Sequence, residues 1–74
     1  MNRREAEIKS NQLIAKLTKM RVKQKVSRSQ LAKNLEMSTT TISKIEEFEQ
    51  TPKLSTLCMI ADFLGAEIYI SDKR

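Results

Sequence analysis

Glycine and proline each occur once in this chain, at Gly65 and Pro52, so capping side chains must set most of its element boundaries. The helix starts are correspondingly explicit. Ser27 and Gln30 form a capping-box pattern, in which each side chain satisfies the other residue's free backbone N–H. Ser38 is a good N-cap ahead of the apolar pair Ile42 and Ile45. These signals predict one helix from near Ser27 to about Glu36 and another from near Ser38 to about Glu47. Ile8, Leu13, Ile14, Leu17 and Met20 fall near helical spacing and predict an earlier helix over about Glu5 to Val22, followed by a polar loop, Lys23-Gln24-Lys25. Phe48-Glu49-Gln50-Thr51-Pro52 reads as a second loop. Leu54, Leu57, Cys58, Ala61 and Leu64 then mark one stripe of a fourth helix, about Leu54 to Leu64, which Gly65 ends. The last segment, Ala66-Glu67-Ile68-Tyr69-Ile70-Ser71, is β-branched and aromatic in alternation and predicts one strand.

The 74 residues suffice for one domain with a small core. A domain of this size buries only about 60% of the surface its unfolded chain exposes, so stability must come from helix packing, oligomerisation, or both. Cys58 is the only cysteine and there is no histidine, so an internal disulfide is excluded and no metal site or cofactor is expected. Cys58 is expected as a small core residue, and a lone thiol fits a reducing, cytoplasmic compartment. No nucleophile–base pair is legible, so no enzyme is expected. No apolar run approaches the roughly 20 residues that span a bilayer, the first residues lack a signal peptide's apolar stretch, and no membrane partner is expected.

The formal charge is +5, unevenly spread. Residues 1–30 hold nine Lys/Arg against two Glu, net +7, and residues 31–74 hold five against seven Asp/Glu, net −2. A basic half points to a polyanionic partner. The three aromatics, Phe48, Phe63 and Tyr69, are too few for platforms that stack single-stranded bases.

Two short helices joined by a three-residue turn form the scaffold that lays its second helix in a DNA major groove. Helix 27–35, turn 36–38 and helix 39–47 match that layout. Leu31, Ala32, Leu35, Met37, Ile42 and Ile45 make the inner faces, and Ala32 is small enough for a close crossing. The outer face of the second helix carries Thr39, Thr40, Ser43 and Lys44.

The run Val26-Ser27-Arg28-Ser29-Gln30-Leu31-Ala32-Lys33-Asn34-Leu35-Glu36-Met37-Ser38-Thr39-Thr40-Thr41-Ile42-Ser43-Lys44-Ile45-Glu46 resembles the phage-repressor-like (Cro/C1, or XRE) helix-turn-helix family. A polar loop, Pro52, and Leu54-Ser55-Thr56-Leu57-Cys58-Met59-Ile60-Ala61-Asp62-Phe63-Leu64-Gly65 continue the likeness, which covers about Leu17 to Gly65. The resemblance implies an all-α, four-helix, lambda-repressor-like domain that binds double-stranded DNA. By it, Thr39, Thr40 and Lys44 take base-reading positions, with Ser43 close to the same surface. Threonine can hydrogen-bond a base edge or cover a thymine methyl, and lysine commonly reads guanine. Arg28 and Ser29, at the start of their helix, and Lys53, after the loop, are expected at phosphates. Arg21 and Glu46 match a salt bridge between the first helix and the end of the third. Two positions depart from the family pattern. The turn has Glu36 where family members usually have glycine, and the following loop, Glu47-Phe48-Glu49, is acidic where theirs is often basic.

A lone strand leaves open backbone groups, and pairing with the same strand of a second copy across a twofold axis closes them. A helix-turn-helix ending in a strand resembles antitoxins of the HipB/HigA kind. Residues 1–65 are therefore expected to form the DNA-binding domain and residues 66–74 a dimerisation strand and tail, with Ile68, Tyr69 and Ile70 at the interface. Three functions stay open: a homodimeric repressor on a palindromic operator, an antitoxin that neutralises a toxin protein and autoregulates its operon, and a protein-interaction module without DNA binding.

Overall fold

The computed structural model describes residues 1–72 and contains four helices: α1 Arg3–Lys23, α2 Arg28–Asn34, α3 Thr39–Glu46 and α4 Leu54–Phe63. Each start follows from a local signal except the last. The Asn2 side chain accepts from the Glu5 N–H at 2.8 Å, so α1 begins two residues before the expected Glu5. Ser27 and Gln30 close the capping box in both directions, at 2.8 and 3.0 Å. The Ser38 hydroxyl accepts from the Thr41 N–H at 3.1 Å. Lys53 is the N-cap of α4 and provides no side-chain cap.

All four helices end in the same way. The residue after the C-cap takes positive φ, and the next N–H reaches back to a carbonyl in the last turn. Lys25 (φ 59), Glu36 (φ 55), Phe48 (φ 62) and Gly65 (φ 79) hold that position. The bonds that close these caps are Val26 N–H to Arg21 at 3.1 Å and to Ala32, Lys44 and Ala61 at 2.8 Å from Met37, Glu49 and Ala66. Only one of the four left-handed residues is glycine, so the chain reverses three times on side chains that disfavour the conformation. Partly buried Val26, Met37 and Ala66 pack on the core just past their caps and help hold the reversals.

Ten apolar residues form the core: Ile14 and Leu17 of α1, Leu31 and Ala32 of α2, Ile42 and Ile45 of α3, and Leu57, Ile60, Ala61 and Leu64 of α4 and its cap. Ala32 is 2% exposed, which allows α2 and α3 to cross closely. At the far ends, the Gln24 amide donates to the Leu64 carbonyl at 2.7 Å and ties the exit of α1 to that of α4.

Three expectations are corrected. Ile8 is 50% exposed, because six residues before Ile14 it sits about 240° round the helix from it. The early turns of α1 accordingly extend beyond the core. Cys58 is exposed, not buried, because the buried stripe of α4 is Leu57, Ile60, Ala61 and Leu64, one position out of step with it. Leu54 is also exposed, at 66%, although it stands seven residues before buried Ala61 and so on the same side of α4: it is the first residue of the helix. The strand expected from Ala66 onward is a separate case and is not shown: among the described residues that segment forms none, and a single chain offers it no edge to pair with. Ala66 and Ile68 instead lie against the core of their own chain, whereas Tyr69 and Ile70 are 77% and 97% exposed. Residues 73–74 of the expected tail lie outside the described residues.

Candidate nucleic-acid interface

The α2–turn–α3 unit is fixed from within and from below. Ile42 and Ile45 point into the core at 1% and 2% exposure. At about 100° per residue, Thr40 and Lys44 then fall on the opposite side of α3, and both are exposed. Thr39 is exposed on the first turn of α3, and Ser43 is partly covered on the flank nearer α2. The outward face thus carries one short hydroxyl side chain and one long cation that a base edge can reach.

Below this face stands an ion-pair cluster centred on Glu46. Arg21 is 8% exposed and donates from Nε to Glu46 Oε2 at 2.7 Å and from Nη2 to Oε1 at 2.9 Å. Its Nη1 donates to the Val26 carbonyl at 2.7 Å, so all three arms of the guanidinium are used. Such a fork specifies direction as well as attraction. It fixes the last turn of α3 against α1 and against the entry to α2. Burial works to raise the Glu46 carboxyl, but hydrogen bonds from Arg21 and Arg28 outweigh it and hold the group below the usual carboxylate value.

Arg28 is where the structure says most that the sequence did not. Its Nε donates to Glu46 Oε1 at 2.8 Å, and its Nη1 donates to Glu47 Oε2 at 3.0 Å and to the Ser43 hydroxyl at 3.3 Å. The residue expected at a phosphate is therefore engaged by two carboxylates, 18 and 19 positions away. Only Nη2 makes no hydrogen bond among the described residues. Ser43 is likewise engaged, as Arg28's acceptor. Nothing in the local sequence marks this arrangement; the one available signal was the unusual pairing of Glu46 with a second acid at Glu47. Ser29 and Lys53 are exposed, Ser29 on the first turn of α2 and Lys53 at the cap of α4. Glu36, in the turn, adopts the left-handed conformation that the expected glycine would have supplied.

A helix-turn-helix family model matches residues 17–70, which is 54 of the 74 residues. The chain belongs to the helix-turn-helix family. Its general role is that of a DNA-binding transcription regulator of the Cro/C1 type, with double-stranded DNA as partner. The helix-turn-helix match begins at residue 17, in the last third of α1, so the exposed early turns of that helix lie outside it. No curated protein and no solved structure matches the chain. No helix among the described residues is long and apolar enough to cross a membrane.

Proposed function

We propose that this helix-turn-helix protein is a sequence-specific repressor that binds a palindromic operator as a homodimer. The observation that carries the reading is the outward face of α3. Thr40 and Lys44 stand exposed opposite buried Ile42 and Ile45, on a helix whose orientation Arg21 and Glu46 hold. Thr39, Thr40 and Lys44 read bases, and Ser43 supports Arg28 beside them. Ser29, Lys53 and the free edge of Arg28 meet the phosphate backbone. Residues 1–65 form the DNA-binding unit and the remainder the dimerisation tail.

The dimer reading rests on apolar surface at the chain's end. Tyr69 and Ile70 are exposed, and so are Met59 and Phe63 of α4. Pairing of two Ile68–Ile70 segments would satisfy their backbone groups and place two α3 helices about 34 Å apart, in successive major grooves. A second reading, an antitoxin that also autoregulates through DNA, draws on the same exposed α4 face, which a protein partner could cover. A module without DNA binding would find support in the acidic loop Glu47-Phe48-Glu49, but Glu47 is partly neutralised by Arg28.

Selection of duplexes from a random pool tests the proposal. A homodimeric repressor enriches one motif with two inverted half-sites about one helical turn apart. A pool that stays random after repeated rounds would sink it. Expression with the neighbouring gene and co-purification of its product would favour the antitoxin over the repressor.

A further inference from the structure

The bonds around Arg28 are unequal in setting. Glu46 is almost covered, with a side chain 7% exposed, and already holds Arg21. Glu47 is different: its side chain is 51% exposed at the C-cap of α3, and that of Arg28 is 35% exposed. The 3.0 Å contact between them therefore lies at the rim, where an ion pair adds little to stability. Glu47 also follows Lys44 by three residues, so it stands on the side of α3 that carries Lys44. A duplex read by that side would bring phosphates toward Arg28. A carboxylate and a phosphate accept from a guanidinium in the same way, through paired oxygens.

We infer that Glu47 is an internal competitor of DNA phosphate for Arg28. It occupies Nη1, while Nε stays on Glu46 and Nη2 makes no hydrogen bond among the described residues. Glu47 thereby acts as a positioning residue, working through Arg28 and not by touching DNA. Its consequence is a loss of sequence-independent affinity, since phosphate contacts favour all duplexes alike. The base-reading Thr40 and Lys44 are not engaged by it. This inference rests on the DNA-binding reading above.

The test is a double-mutant cycle on the full chain, read by fluorescence anisotropy with a labelled random-sequence duplex of about three helical turns. Glu47→Gln should tighten binding about two- to fivefold, the scale of one partly exposed ion pair. It should also steepen the slope of log affinity against log salt by about 0.9, the signature of one added phosphate contact. In an Arg28→Gln background the same change should do nothing. Glu49→Gln, which removes an acid with no ion pair among the described residues, should leave the salt slope unaltered. If Arg28→Gln fails to fold, Arg28→Lys keeps the charge without the fork, and the Glu47→Gln gain should shrink in it. An equal gain with and without the Arg28 fork would overturn the inference and make Glu47 a background charge. So would unchanged binding by Glu47→Gln. Folded wild type and variants that bind no duplex at all would instead overturn the DNA-binding reading, and this inference with it.

Discussion

Arg21 forks across both carboxylate oxygens of Glu46, at 2.7 and 2.9 Å, and joins α1 to the end of α3 across 25 positions of sequence. The pair is shielded on both sides, with side chains 10% and 7% exposed. Burying two charges costs solvation that their attraction only partly returns, so the contribution of such a pair is chiefly to geometry. Here that geometry is the angle at which α3 presents Thr40 and Lys44.

Removing one partner should be far worse than removing both. Arg21→Met leaves Glu46 with Arg28 alone and the Val26 carbonyl without its donor, and should cost about 3 kcal/mol, the low end for breaking a buried pair. Arg21→Met with Glu46→Leu should recover part of that stability in urea unfolding while still weakening DNA binding. Full recovery of binding along with stability would show that the pair does not orient α3.

Stability should fall in acid through this same carboxyl. Glu46 sits below its ordinary value of 4.5 in the fold, burial being outweighed by the Arg21 and Arg28 hydrogen bonds. As pH falls, the unfolded chain takes up this proton first, so the contribution is complete above about 4.5 and is lost as pH falls below that through the folded value. Urea midpoints measured from pH 7 to 3 should show this loss. Glu46→Gln, weaker at neutral pH, should show a flatter profile over the same interval.

Glu36→Gly should stabilise the protein. The left-handed conformation costs a non-glycine residue roughly 1–2 kcal/mol. Glycine gives back about 0.4–1 kcal/mol of that through a freer unfolded chain, leaving a gain of a few tenths to about 1 kcal/mol. A lower Tm for the variant would mean that Glu36 makes a contribution in the turn beyond its backbone conformation.

The parts of this fold that were legible are those written locally. Ser27 with Gln30, and Ser38 before Ile42 and Ile45, placed α2 and α3 to within a residue or two, because capping and periodicity act over a single turn of helix. The left-handed residues Lys25 and Phe48 carried no such mark, since neither is a residue type that favours the conformation. Helical facing alone misplaced Cys58 and Ile8: a stripe drawn on sequence tolerates an error of one position, and a packed core does not. Arg21 with Glu46 was legible only through resemblance to a family. The hold of Glu46 and Glu47 on Arg28 was not legible at all, because it depends on how α2 and α3 cross. The strand after Gly65 was read from residue types, and its pairing needs a partner that one chain does not contain.

The tail separates two effects that a deletion would mix. Ile68 lies against the core, so removing residues 67–74 both trims that packing and removes Tyr69 and Ile70. Ile70→Asp alters a side chain that is 97% exposed and should leave the melting of the monomer within about 0.5 kcal/mol. In the proposed dimer it would bury an unpaired charge. Sedimentation should show wild type as a dimer and both variants as monomers. An unchanged dimer after the deletion would remove the tail from the interface.

The most direct measurement is the affinity of wild type and Thr40→Ala for a selected operator and for a random duplex, in the same salt. Thr40 is uncharged, so its loss alters base reading without altering the field that attracts all DNA. Wild type should prefer the operator by about a thousandfold or more. Thr40→Ala should lose about 1–3 kcal/mol on the operator and nothing on the random duplex. Equal losses on both duplexes, or no loss on either, would contradict the assignment of base reading to this face of α3.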